Sequence, residues 1–222
     1  MNITVYGDSI LKGVLLEEGK YRINRQWEQR LAAEHGLVIR NKAHFGSTIG
    51  KAMALIEKDC ESRWPEGEVA VLEFGGNDCD YDWAAIAENP GGSFDCNTPP
   101  AEFQKKYREA LDLIRESGRE PVMLTLPPIH SVRYLDYICR NGLEKEAILR
   151  WLGDVEAIHR WQQKYSEMVL ELSREERVQS IDLRTVFLRD RHSPEELLCM
   201  DGIHPSRLGQ RLIFETLSAA IA

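Results

Sequence analysis

The stretch that decides the fold opens the chain: Ile3-Thr4-Val5-Tyr6-Gly7-Asp8-Ser9, a β-rich apolar run that passes directly into a glycine, an acid and a serine. β-Branched and aromatic residues favour strands. A nearly continuous apolar run, with little polar alternation, marks a strand covered on both faces, as in a parallel sheet layered with helices. Four more short runs follow at 37–39, 69–74, 121–126 and 178–181, the third strand being broken only by Glu73.

Helical patterns fill the intervals. Asn24 is placed to cap a helix carrying Trp27, Leu31 and His35 at four-residue spacing, with Gly36 where a left-handed stop belongs. A second helix is expected over 47–58. Thr98-Pro99-Pro100 reads as a cap followed by prolines, opening a helix with Phe103, Tyr107, Leu111 and Ile114 on one face and Gly118 at its end. Another is expected over 154–173, and Pro205 opens a last one with Leu208, Leu212, Phe214 and Leu217 inward. Ser193-Pro194-Glu195-Glu196 fits a capping box. Strands alternating with helices give an α/β fold, whose ligand sites lie outside the carboxyl ends of the strands.

At 222 residues and 43% hydrophobic, the chain suits one domain spanning 1–222. Residues 127–153 are long for a connection, yet hold Tyr134, Tyr137, Ile148, Leu149, Trp151 and Leu152, which predicts an ordered, partly helical insertion near the site. The formal charge of -8, with no basic stripe, opposes nucleic acid as a partner. No apolar run approaches the ~20 residues of a membrane span, and Met1-Asn2 leads at once into the first strand, so a cytoplasmic protein is expected. Five scattered cysteines without a C-x-x-C pair read as reduced thiols, with neither a disulfide nor a zinc site. Homo-oligomer assembly stays open.

Four short motifs carry the candidate chemistry. Gly7-Asp8-Ser9 follows the first strand and offers a hydroxyl; alone, it reads more readily as a helix cap. Asp201-Gly202-Ile203-His204-Pro205 precedes the last helix, and its spacing lets a carboxylate reach Nδ1 of the imidazole, leaving Nε2 to accept a proton. An ordinary capped loop is the rival reading. Gly75-Gly76-Asn77-Asp78 closes the third strand, where Asn77 either donates its amide to a developing oxyanion or merely makes a turn. Phe45-Gly46-Ser47-Thr48 opens the second helix and offers a backbone N–H at Gly46.

Together these blocks, in this order, resemble the SGNH hydrolases, also called GDSL esterases and lipases. The resemblance spans almost the whole chain. It implies a flavodoxin-like three-layer sandwich with a parallel sheet of about five strands in the order 2-1-3-4-5, and a hydrolase of esters or thioesters that needs no metal and no cofactor. By the same resemblance Ser9 is the nucleophile, His204 the base and Asp201 its orienting carboxylate, with the oxyanion held by the N–H groups of Ser9 and Gly46 and by Asn77. The first block reads Gly-Asp-Ser-Ile where the family name ends in Leu, a conservative change. The G-x-S-x-G elbow of another hydrolase fold is absent, Leu11 standing where its second glycine belongs.

Around this core, Asp8 is expected to support the turn and border the substrate. Tyr81 and Trp83, in the acidic and aromatic run after Asn77, suit a sugar, with a core role for Trp83 as the alternative. His130, after the fourth strand, is the other histidine expected near substrate, though it lacks a carboxylate partner. A small-molecule ester, foremost a carbohydrate acetate, is the expected substrate. Lysophospholipid or thioester hydrolysis is the alternative within the class; a flavodoxin-like binding module lies outside it, and Ile10-Leu11-Lys12-Gly13 lacks the phosphate loop such a module needs. Cys79 is a rival nucleophile with no positive neighbour to ionise it.

Overall fold

In a computed structural model, which describes residues 1–61 and 67–221, the opening run forms β1 (Asn2–Gly7) at the switch point of a parallel sheet. On one side it pairs with β4 (Val38–Asn41), on the other with β5 (Val69–Glu73), and β6 (Glu120–Leu124) and β7 (Gln179–Ile181) extend the sheet beyond β5. Counted along the chain within this sheet, the order is 2-1-3-4-5, as expected. The register sets Gly7 opposite Glu73.

Successive side chains of each strand enter different layers. Tyr6, Leu72 and Met123 pack against α2 (Ile49–Cys60), α4 (Pro100–Glu116) and α7 (Ala157–Glu175). Ile3, Val5, Val122 and Leu124 pack against α1 (Gln26–His35), α8 (Leu183–Arg189) and α10 (Arg207–Ile221). A third apolar cluster lies apart from both, joining α3 (Trp83–Glu88), α5 (Ser131–Cys139) and α6 (Lys145–Leu152) through Trp83, Ile86, Tyr134, Leu135 and Ile148. Two of these helices come from residues 127–153.

Several boundaries differ from the sequence reading. Thr98 does not cap α4, which starts at Pro100; its N–H donates to the Asp78 carbonyl instead. The last helix starts at Arg207, with the Ser206 hydroxyl accepting from the Gly209 N–H at 3.2 Å. A hairpin, β2 (Val14–Glu17) and β3 (Lys20–Ile23), was not anticipated. Its turn places Glu18 and Gly19 at φ 52° and 71°, the tight geometry that matches strand twist, written here with Glu-Gly in place of the familiar Asn-Gly. Among the described residues no helix is long and apolar enough to cross a membrane.

Candidate active site

β1 ends in a turn, not a helix, so Ser9 caps nothing. The Asp8 carboxylate accepts the Ile10 N–H at 2.8 Å, and the Ser9 carbonyl accepts the Val14 N–H at 3.0 Å, which fixes the turn from both sides. The Ser9 hydroxyl lies 2.9 Å from His204 Nε2, and His204 Nδ1 lies 2.7 Å from Asp201 Oδ2. A carboxylate can only accept, so Nδ1 carries the imidazole proton and Nε2 accepts from Ser9. Asp201 also receives the backbone N–H groups of Ile203 and His204 on Oδ1, each at 3.1 Å. These donors satisfy a carboxyl that is 0% exposed; His204 is 1% and Ser9 7% exposed.

The loop carrying this pair is held by the neighbouring insertion. Gly202 has φ 74°, and a Cβ there would lie 2.6 Å from the His130 carbonyl oxygen and 2.7 Å from the Tyr134 nitrogen, so only glycine fits. The His130 N–H donates to the Gly202 carbonyl at 2.8 Å. His130 itself departs from expectation: its ring caps α5 by accepting the Arg133 N–H and meets Glu195 at 3.0 Å, and it does not line the cavity beside Ser9. Two rings not expected there enclose His204. Phe45 stacks on it at 5.8 Å and 17°, and Tyr21 of the hairpin meets it edge-on at 5.1 Å.

Asn77 donates Nδ2 to Asp8 Oδ2 at 2.8 Å, which leaves its second amide hydrogen free to point elsewhere. Gly46 has φ 68° and follows Phe45 directly. Among the described residues no acceptor engages the N–H of Ser9 or Gly46. Three donors are thereby left for an anion.

Carboxyl groups crowd beneath these donors. Asp78, 0% exposed, accepts the Ile49 N–H, yet burial pushes its pKa up to about 7 against the pull of bonds from Thr98 and Ile49. Glu73 is 0% exposed and neither of its oxygens makes a hydrogen bond among the described residues. Burial first, and then the Asp8 charge, push its carboxyl well above the usual range. Cys79 donates its thiol to the Gly76 carbonyl, and burial raises its pKa, so it stays a thiol and a poor rival to Ser9. Among the described residues no group of three His, Cys, Asp or Glu side chains is set to hold a metal ion.

A cavity of about 490 Å3 opens beside Ser9 and Asn77. Tyr81 and Trp83 line it, Trp83 also packing in the third apolar cluster, and Trp151 and Trp161 join them from the insertion and α7. Tyr81 touches three indoles, at 5.7 Å from Trp83, 5.0 Å from Trp151 and 5.9 Å from Trp161. Asp80 fixes one end, Oδ1 accepting from Trp83 Nε1 at 2.8 Å and from the Tyr134 hydroxyl at 2.7 Å. Trp151 was quoted only as part of an ordered insertion, and Trp161 lies more than seventy residues beyond Tyr81, so no local pattern joined them.

With this geometry in place, the sequence profile of the GDSL-like lipase/acylhydrolase family matches residues 5–212. The chain belongs to that family. This GDSL-like acylhydrolase is thus a hydrolase of ester bonds. Its fold is similar to that of a lipase/acylhydrolase from Enterococcus faecalis, with TM-score 0.69 and 18% identity over 99% of this chain and 94% of that one. It is similar to LAE5, an α/β hydrolase from the metagenome of Lake Arreo, with TM-score 0.70 and 19% identity over 99% and 94% of the two chains. An acetyl xylan esterase from Geobacillus stearothermophilus superposes with TM-score 0.68 and 16% identity over 100% and 94%. At these identities the likeness is one of fold. No curated protein matches the GDSL-like chain.

Proposed function

We propose that the protein is a serine esterase that removes a short acyl group, foremost acetyl, from a hydroxyl of a carbohydrate-like alcohol through an acyl-enzyme on Ser9. The observation that carries this is the continuous bond chain from Ser9 through His204 to Asp201, at 2.9 and 2.7 Å, opening on the cavity. The Ser9 oxygen attacks the ester carbonyl and its proton passes to His204 Nε2. Asp201 stabilises the imidazolium that forms. The carbonyl oxygen gathers charge against the Ser9 and Gly46 N–H groups and the free amide hydrogen of Asn77. His204 then protonates the departing alcohol, and water repeats the cycle on the acyl-enzyme to release the acid.

Substrate class rests on the walls. An acetyl group occupies little of the roughly 490 Å3 cavity, which leaves room for the alcohol. Aromatic faces at Tyr81, Trp83, Trp151 and Trp161, beside the Asp80 carboxyl, suit a ring that is apolar on its faces and hydroxylated at its edge. Acetyl xylan esterases among the similar folds point the same way. Leu126, Ile129, Leu152 and Ile158 on the same cavity favour a second reading, in which a longer acyl chain lies there.

The test compares wild type with Ser9→Ala on p-nitrophenyl acetate and on a labelled fluorophosphonate, then runs p-nitrophenyl esters of increasing chain length. Turnover and labelling by wild type alone support Ser9 as nucleophile; equal behaviour of both proteins overturns it. A maximum at long chains replaces the acetyl reading with the second one.

A further inference from the structure

Glu73 is an acid of the site that the proposed mechanism does not use, and its surroundings are anomalous. It ends β5, opposite Gly7, and is 0% exposed with no donor to either oxygen among the described residues. A carboxylate in that state, without donor or cation, is among the costliest groups to bury. Asp8 stands beside it: the register sets Glu73 opposite Gly7, the residue before Asp8, both acids line the cavity next to Ser9, and after burial the Asp8 charge is what raises the Glu73 carboxyl. Two carboxylates so placed repel, whereas a carboxylic acid and a carboxylate bond through the shared proton.

Donors decide which member holds the charge. Asp8 receives the Ile10 N–H and Asn77 Nδ2, each at 2.8 Å, whereas neither Glu73 oxygen makes a hydrogen bond among the described residues, and the pull of the nearby Asp8 N–H is outweighed by burial. We propose that Glu73 is a neutral carboxylic acid that donates its proton to Asp8, so that Asp8 holds the Asn77 amide at the angle that aims its second hydrogen at the reacting carbonyl oxygen. Glu73 is then a positioning residue, acting through Asp8 and Asn77. The inference rests on the esterase reading above for its effect on rate, but not for its protonation.

Among the described residues no lysine or arginine pairs with Glu73 to stabilise a second charge. The titratable groups facing the pair are Asp78 from the loop after β5, the Tyr107 hydroxyl from α4, and His204 on the Asp8 side. Ionising Glu73 in alkaline solution places like charges side by side and turns Asp8 away from its arrangement with Asn77. Rate therefore falls with that ionisation. Glu73→Gln removes the fall, because an amide N–H donates to Asp8 at every pH.

The experiment uses the full chain as wild type, Glu73→Gln and Glu73→Leu. The p-nitrophenyl acetate kinetics are recorded across neutral and alkaline pH, with infrared spectra of wild type and Glu73→Gln at neutral pH. The expected result is a neutral-carboxyl C=O band present in wild type and lost in Glu73→Gln. Glu73→Gln keeps kcat within about threefold of wild type and has a flatter alkaline profile, while Glu73→Leu loses roughly tenfold in kcat at little changed KM, less than deletion of an oxyanion donor. The proposal is overturned if the band is absent, if wild type and Glu73→Gln profiles superimpose, or if Glu73→Leu matches wild type. If Glu73→Leu fails to fold, the band and the Glu73→Gln profile still decide. A band without any wild-type turnover sinks the esterase reading and the positioning role, and leaves the neutral acid standing.

Discussion

Asp201 and Glu73 are the same kind of group at the same depth, each 0% exposed. Asp201 collects three donors, one imidazole and two backbone N–H groups. Glu73 collects none. Depth alone therefore does not set the role of a carboxyl here: Asp201 is satisfied by three donors and oriented toward the imidazole, while burial without hydrogen bonds pushes the Glu73 carboxyl well above the usual range. The contrast traces to backbone. Asp201 sits at the head of a tight loop whose N–H groups turn inward onto its carboxylate, whereas Glu73 ends a strand that is paired on both sides.

Breaking the charged half is expected to cost most. Ser9→Ala should lower kcat on p-nitrophenyl acetate by about 10⁴-fold or more and abolish fluorophosphonate labelling. Asp201→Asn keeps the shape but asks Nδ1 to face a group that also donates; kcat should fall by roughly 10⁴-fold, with the fold retained by circular dichroism. Asn77→Ala, between the two halves, should lower kcat by about 10² to 10³-fold with a smaller change in KM.

Asp78 sharpens the neutral half. Its pKa is about 7 folded against a model-compound value of 3.8, so folding takes up a proton between those limits. The stabilisation is fully present below the unfolded value and is lost as pH rises toward about 7. Thermal midpoints of wild type should thus fall relative to Asp78→Asn over that window. An unchanged difference across it would contradict the assignment. The smallest effect belongs to the cavity wall: Trp151→Ala should raise KM for acetylated sugars by roughly two- to tenfold, the size of one aromatic contact, and spare p-nitrophenyl acetate.

Much of this was legible in the sequence. The five strands, their parallel order through the family resemblance, and the four motif blocks were legible because each is local: two blocks follow β1 and β5 directly, and the other two lie in loops ahead of helices. The hairpin escaped because Glu18-Gly19 is a weaker turn signal than Asn-Gly, yet it delivers Tyr21 to His204. Trp161 escaped because helices far apart in the chain bring it to Tyr81. Glu73 was visible only as a polar break in an apolar strand, and its meaning needed the position of Asp8. His130 misled for the opposite reason: a histidine after a strand looks chemical, and this one serves as a helix cap.

Its backbone, however, carries a mechanical consequence. Through the 2.8 Å bond from His130 to Gly202, and the Arg133 guanidinium on the carbonyls of Glu195 and Leu198, the first turn of α5 is fastened to the loop that bears Asp201 and His204. Tyr134, in that same turn, walls the cavity. Pocket and proton acceptor are thus one piece of machinery, like a key bed cut into the bolt. A ligand that pushes α5 aside must drag the imidazole off Ser9, so the fit of the alcohol is gauged in the speed of the reaction and not only in how tightly it is held.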